Sequence, residues 1–341
     1  MSALEQPSQV IPRDVVLAEI RSGERFVLVT HENPDGDALG SLVAMHNVLC
    51  ALGKDSVMLM GADEFPLPYE YRSFQFDGLV TAPPADLALR TVIFLDCGNI
   101  DRNRGDVVKR EGAQILNIDH HHDNTRFGTV NHVVADASCT AEIVWDLMRA
   151  LGVAATPTIA DALYVGLVTD TGRFMYENTG TRAHVMAAEL IEAGVDVNAI
   201  YRRLYEEMPS SKLGLLGRAL ANIERFDDGR LTFTRLTRED FHGVGAEESY
   251  SEGVIDHLRS VEGTKVAAMA RELLAQPAGV ETAPGTLRKK VSLRSTDGTV
   301  DVSAIARAGG GGGHRQAAGF TTNLSDAELV AFLREHVAAQ L

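Results

Sequence analysis

Four short stretches of this chain are apolar almost from end to end: Arg25–Thr30 (RFVLVT), Ser56–Met60, Thr91–Leu95 (TVIFL) and Gln114–Ile118 (QILNI). Runs of this length without polar alternation suit strands buried on both faces, and so a parallel sheet with helical crossovers. Between the first two, Ala38–Leu52 has helical periodicity and stops at Gly53, a common glycine position just past a helix end. Further helical patterns cover Thr140–Leu151, Thr158–Val168, Thr181–Ala193 and Val197–Glu207, and Met208–Asn222 reads as a connecting helix. Mixed strands follow at Leu231–Leu236, Val266–Leu274 and Lys290–Arg294, with a closing helix from Asp326 to Ala339. The expected architecture is an α/β parallel-sheet domain over residues 1–200, a helical linker over 201–223 and a smaller α+β domain over 224–341. That organisation suits 341 residues, since single cores stop growing before about 250–300.

Composition removes whole classes of function. Hydrophobic residues make up 45% and charged ones 23%, so intrinsic disorder and fibrous repeats are excluded. No stretch has the roughly 18 uncharged apolar residues of a membrane helix, and MSALEQPSQVIPRD lacks the basic and apolar regions of a secretory leader. Cys50, Cys97 and Cys139 are odd in number and widely spaced, which suits reduced thiols in a cytoplasm and gives no zinc spacing. The net charge of −15 is uneven. Residues 1–192 hold 14 basic against 27 acidic side chains, and residues 193–341 hold 18 against 20. Within 285–316 the balance reverses, with Arg288, Lys289, Lys290, Arg294, Arg307 and Arg315 against Asp297 and Asp301. An acidic first domain suits bound cations, and a basic stretch in the second suits an anion.

Ligands of open α/β sheets gather at the carboxyl ends of the strands, and here each candidate strand ends in metal-type residues. The first runs into His31 and then Asn33-Pro34-Asp35-Gly36-Asp37; the third ends at Asp96; the fourth ends at Asp119-His120-His121-His122. The helical run Ala160–Thr169 leads into Asp170. Taken singly, each is an ordinary turn or terminus, and Asp37 could simply cap the helix that follows. A calcium loop is excluded, because the twelfth position from Asp35 is His46 where that loop needs Glu. Together, the four segments bring carboxylates and imidazoles, without thiolates, to one sheet edge, which favours Mn²⁺ or Mg²⁺ over structural zinc. His31 and Asp35 can reach one ion from one turn and Asp37 a second. Two ions ~3.5–4 Å apart would acidify a water for attack on phosphorus.

On these residues the sequence resembles a DHH-family phosphoesterase with its associated C-terminal domain. His31-x3-Asp35-Gly-Asp37-Ala-Leu-Gly-Ser resembles the first motif, Phe94-Leu-Asp96 the second and Asp119-His120-His121 the third. Gly166-Leu-Val-Thr-Asp170-Thr-Gly-Arg-Phe174 resembles the fourth, and Gly310-Gly-Gly-Gly-His314-Arg-Gln-Ala-Ala-Gly319 the substrate motif of the second domain. Size and the short linker resemble the branch that cleaves nanoRNA and removes the 3′-phosphate from adenosine 3′,5′-bisphosphate (pAp). The resemblance implies a first ion on His31, Asp35 and Asp96, and a second on Asp37, Asp96, His120 and Asp170, with Asp96 bridging. It implies His121 facing the scissile phosphate and Asp119 orienting a ligand imidazole. His122 receives no role, and the five glycines Gly309–Gly313 exceed the usual four by one.

The same resemblance places a substrate phosphate on Arg294. The residues themselves suit an anion: consecutive glycines, here Gly311, Gly312 and Gly313, let backbone N–H groups approach it, and His314 and Arg315, with Arg307 nearby, add charged donors. Net acidity argues against long duplexes, and a few basic residues suit roughly two to five nucleotides. The expected partners are therefore short RNA, dinucleotides or pAp, with no membrane; a homodimer is compatible. A cleft between the domains would act as a ruler for substrate length. The alternatives are a cyclic or linear dinucleotide phosphodiesterase, a single-strand DNA exonuclease, a pyrophosphatase and a non-catalytic nucleotide sensor. The complete ligand set argues against the sensor, and the glycine-His motif against the pyrophosphatase.

Overall fold

The apolar runs pair side by side, as their two-sided burial requires. β1 (Arg25–Val29), β2 (Asp55–Leu59), β3 (Leu79–Val80), β4 (Thr91–Leu95), β5 (Ile115–Asp119) and β6 (Val130–Val133) form a parallel sheet in the order β3-β2-β1-β4-β5-β6. The computed structural model describes residues 12–103, 105–109, 113–274 and 288–341, so residues 1–11, read above for a leader, lie outside the described residues. The described chain divides into two units, Met1–Glu206 and Glu207–Leu341. β3 and β6 were not anticipated: β3 has two residues, and β6 carries Asn131 and His132 at an edge, so neither has an apolar run to detect.

The α-helices described in the first unit are α1 (Pro12–Ser22), α2 (Gly36–Ala51), α3 (Thr140–Ala150), α4 (Pro157–Asp170), α5 (Thr181–Glu192) and α6 (Val197–Tyr201). The last expected helix is interrupted, since α6 passes into a π-helical turn at Arg202–Glu206. Alternate strand residues bury on opposite sides. Phe26, Leu28, Ile93, Leu95, Leu116 and Ile118 face a core built mainly by the helices, while Val27, Val29, Val92, Phe94 and Ile115 pack with Val108, Ile100 and Phe127. The strand order reverses direction between β1 and β4, the kind of switch point where a crevice opens at the carboxyl edge.

α2 and α4 cross closely through two glycines. A Cβ on Gly40 would lie 2.3 Å from the Ala162 carbonyl oxygen and 3.0 Å from the Gly166 nitrogen. A Cβ on Gly166 would lie 2.7 Å from the Ala141 Cβ and 2.9 Å from Asp37 Oδ1. Glycine inside a helix costs about 1 kcal/mol relative to alanine. Here it permits a backbone approach that no side chain allows.

The second unit has α7 (Ser210–Ala221), α8 (Arg238–Val244), α9 (Val254–Arg259), α10 (Val302–Ala308) and α11 (Asp326–Ala338). These pack with β7 (Glu224–Phe226), β8 (Leu231–Leu236), β9 (Val266–Glu272), β10 (Lys289–Ser295), β11 (Gly312–Gly313) and β12 (Ala317–Thr322) in the order β11-β12-β10-β9-β8-β7. Within this sheet, β8 and β9 pair in parallel and the other described neighbours pair antiparallel. Leu231, Phe233, Val291, Leu293, Ile305, Phe320, Leu329 and Leu333 form its core. α7, expected as part of a linker, is tied to this unit by the Thr234 hydroxyl, which donates to the Ala219 carbonyl at 2.6 Å.

The α2–α4 crossing makes a direct prediction. Gly40→Ala should lower unfolding free energy by about 1–3 kcal/mol, the usual penalty of overpacking, read from urea denaturation. A loss under about 0.5 kcal/mol would show that the crossing does not need the glycine.

Candidate metal centre

The donor atoms arrive from four segments, each fixed by local geometry. β1 ends beside His31, whose Nδ1–H donates to the Glu32 carbonyl at 2.8 Å and so presents its Nε2 lone pair inward. Asp35, not Asp37, is the N-cap of α2: its Oδ1 accepts from the Asp37 and Ala38 amides, both at 3.1 Å. Asp37 thus lies inside the first turn, with its carboxylate turned to other partners. β4 ends at Asp96, whose φ of +56° breaks the strand; aspartate tolerates this left-handed conformation better than most residues. β5 delivers Asp119, His120 and His121, and α4 delivers Asp170 as its last residue.

Distances divide the contacts into two kinds. His31 Nε2 lies 3.5 Å from Asp96 Oδ2 and 3.9 Å from Asp35 Oδ2. His120 Nε2 lies 3.6 Å from Asp170 Oδ2, 3.7 Å from Asp96 Oδ1 and 4.0 Å from Asp37 Oδ2. These separations exceed good hydrogen-bond lengths. They match two donors sharing one ion, since ligands about 2.1 Å from an octahedral cation stand roughly 3–4.2 Å apart. His31, Asp35 and Asp96 form one such group, and Asp37, Asp96 and His120 form another. Asp96 belongs to both, with Oδ2 toward His31 and Oδ1 toward His120. The second kind is an ordinary hydrogen bond: His121 Nδ1 donates to Asp119 Oδ1 at 2.7 Å. Asp119 also accepts from the His120 amide and, at 2.5 Å, from the Asn124 side chain. The sequence placed Asp119 behind a ligand imidazole, and the imidazole that it holds is His121. His122 is exposed.

Electrostatics follow from taking these groups out of water. Burial and the neighbouring Asp96 and Asp170 charges raise Asp37 well above the ordinary carboxylate value. Burial pushes Asp170 up to about 6, against the pull of His120 and aided by Asp96. Burial opposes protonation of His120, yet Asp170, Asp96 and Asp37 push it up to about 9. Burial likewise opposes His31, and its contact with Asp96 and the charge of Asp35 raise it overall. Burial would raise Asp96, but His31, His121 and His120 hold it below the usual range. The donor set therefore fits hard divalent cations: clustered anionic oxygens, inward-facing imidazole nitrogens and a shared central carboxylate. His31, Asp35 and Asp96 would hold one ion, and Asp37, Asp96, His120 and Asp170 a second.

Several residues of this site were not anticipated. Thr140 and Ala141 amides donate to the two Asp37 oxygens, Thr140 Oγ1 donates to Asp96 Oδ1, and the Asn178 side chain donates to Asp170. The stretch before Ile143 signals a helix start, but nothing local says that its amides meet a carboxylate more than 100 residues earlier.

In the second unit, Arg294 lies on β10 opposite Ala317, and His314 and Ala317 exchange backbone hydrogen bonds across the β11–β12 turn. Arg294 and His314 thus lie at the same end of this sheet. Arg307 donates to Ser303 Oγ and sits 3.8 Å from Asp301, and Arg315 donates to the Gly298 carbonyl. Arg294 is likewise engaged locally, donating to the Leu293 carbonyl at 3.1 Å. The glycine run is a built turn. Gly310 has φ +83°, a Cβ on Gly311 would lie 2.1 Å from the Gly319 carbonyl oxygen, and Gly312 and Gly313 pair with β12.

Residues 25–167 match the DHH family N-terminal domain, and residues 234–340 match the DHHA1 domain. The chain is 36% identical over 298 residues to the bifunctional oligoribonuclease and PAP phosphatase NrnA of Thermus thermophilus, covering 86% of this chain and 83% of that one. In fold it resembles an exopolyphosphatase-related protein from Bacteroides fragilis, with TM-score 0.83 and 23% identity over 96% of both chains. It also resembles RecJ of Thermus thermophilus solved in complex with Mn²⁺, with TM-score 0.53 and 16% identity over 96% of this chain and 54% of that one.

The raised values carry a sign for metal binding. Protons on Asp170 (about 6) and His120 (about 9) compete with an ion, so each must leave on binding. Mn²⁺ affinity should therefore rise from pH 6 to pH 8, with about one proton released per ion at the His120 side, measured by calorimetry in buffers of different ionisation enthalpy. A flat affinity over that range contradicts the assignment.

Proposed function

The chain belongs to the DHH family, with a DHHA1 domain in its second unit, and on that premise we propose that it hydrolyses short RNA oligonucleotides to mononucleotides and removes the 3′-phosphate from pAp. The observation that carries the reading is the division of Asp96, one oxygen toward His31 and the other toward His120. A carboxylate shared in this way is what a two-ion phosphoesterase centre requires. Divalent ions held there acidify water and stabilise charge on phosphoryl oxygens. Mn²⁺ is the proposed ion, with Mg²⁺ as a substitute, because imidazoles accompany the carboxylates on both sides.

The chain's own residues complete the chemistry. Asp119, fully buried, fixes the His121 ring through Nδ1, so Nε2 is the nitrogen left to face a phosphate oxygen, to which it donates only when the ring carries its second proton. His31 and His120 keep their inward nitrogens on the two sides of Asp96. In the second unit, the His314 turn and Arg294 supply donors that suit a phosphate or a base. The mononucleotide end-point and the pAp reaction both need the same bond, phosphorus to ester oxygen, broken at this centre.

Asp96→Ala should abolish hydrolysis of every substrate in a panel of pAp, RNA 2- to 24-mers, short DNA and cyclic dinucleotides. Turnover above about a tenth of wild type, a barrier change under ~1.4 kcal/mol, contradicts the shared role. His314→Ala should leave Mn²⁺ uptake intact and weaken dinucleotide binding by about 1.5–3 kcal/mol, the worth of a charge-assisted hydrogen bond. Steady-state kinetics should show the loss mainly in KM. An unchanged KM leaves the glycine-His turn as scaffold only.

A further inference from the structure

One short stretch, Ser138–Glu142, ties together carboxylates that would serve both ions, and the phosphoesterase reading leaves it without a role. Thr140 is the first residue of α3, and Cys139 before it gives that helix no side-chain cap. The orphan amides find Asp37 instead: Thr140 N donates to Oδ2 at 2.7 Å and Ala141 N to Oδ1 at 2.9 Å. The Thr140 hydroxyl donates to Asp96 Oδ1 at 3.1 Å, and the residue is fully buried. One residue thus holds two carboxylates that come from different loops and repel each other. Its own stretch is anchored in turn. The Ser138 amide donates to Glu142 Oε2, Glu142 Oε1 accepts from Arg182, and Asn178 donates to the Ser138 carbonyl and to Asp170.

We propose that Thr140 is a positioning residue of the metal centre, its backbone N–H and hydroxyl together setting the spacing of Asp37 and Asp96 at which two ions share Asp96. The inference rests on the two-ion reading above. Without the hydroxyl, Asp96 keeps its place in the chain but loses the one donor that the structure gives Oδ1 from α3. The anionic pair then relaxes by turning the Asp96 carboxylate, and the second ion loses its shared oxygen. Outer contacts of this kind change metal affinity by roughly 10–100-fold when removed.

The test compares Thr140→Val, Thr140→Ala and Thr140→Ser with wild type, all full-length. Valine and alanine keep the amide and delete the hydroxyl, serine keeps both, and circular dichroism of the metal-free proteins checks folding. Calorimetry with Mn²⁺ alone and electron paramagnetic resonance of the exchange-coupled pair are the readouts. Wild type should take up two coupled ions, valine and alanine should bind Mn²⁺ about 10–100-fold more weakly with loss of the coupled signal, and serine should restore both. A merely structural role would lower melting temperature while leaving the coupled signal intact at saturating Mn²⁺. Wild-type affinity and coupling in both hydroxyl-free variants overturn the proposal, as does a serine variant as weak as valine. If valine does not fold, alanine against serine decides. Wild type that binds no coupled pair overturns the two-ion reading itself, a result distinct from any difference among the variants.

Discussion

Carboxylates withdrawn from water within a few ångströms of one another must find positive charge, and the first unit is organised around that requirement. Asp37 and Asp96 are nearly fully buried beside Asp170, with imidazoles facing them at separations too long for good hydrogen bonds. In the absence of cations, protons answer the need in part, as the raised values of Asp37, Asp170 and His120 express. A pair of divalent ions answers it without neutralising the ligands. The fold supplies what opposes the repulsion meanwhile: the α2 amides on Asp35, the α3 amides on Asp37 and the Thr140 hydroxyl on Asp96.

The scaffold explains why the groups meet where they do. With strand order 3-2-1-4-5-6, crossovers leave β1 and β4 toward opposite sides and open a crevice between their carboxyl ends. His31 and Asp96 follow those two strands, Asp119 to His121 follow the next, and the glycine-mediated crossing of α2 and α4 brings Asp170 and Asp37 alongside. Tight packing beneath the centre serves its chemistry directly, since Gly166 abuts Asp37 Oδ1. A methyl group added in that crossing would press on a ligand as well as on a helix.

Much of this was legible in the sequence because strand burial and strand ends are local signals. RFVLVT before His31 and TVIFL before Asp96 announce the sheet and the edge where its strands end, and the co-linear motifs single out side chains that the fold brings within a few ångströms of one another. The edge strands β3 and β6 were hidden because they lack apolar runs, and β12 because Ala317–Thr322 reads as loop beside a glycine run. That run proved to be a steric necessity as much as a flexible one, with Gly311 against the Gly319 carbonyl. Asp37 looked like a cap for its own helix, yet Asp35 fills that place and Asp37 serves α3. Thr140 and Asn178 were invisible for the same reason: their partners are distant in sequence and meet only in the folded chain.

The central claim is that Asp96 is shared by two ions at the β1–β4 switch point. Anomalous diffraction from crystals of the wild-type protein soaked in Mn²⁺ tests it most directly. Two peaks about 3.5–4 Å apart, one beside His31 and Asp35 and the other beside Asp37, His120 and Asp170, with Asp96 between them, are the predicted result. A single peak, or a pair that leaves Asp96 outside both coordination shells, contradicts it.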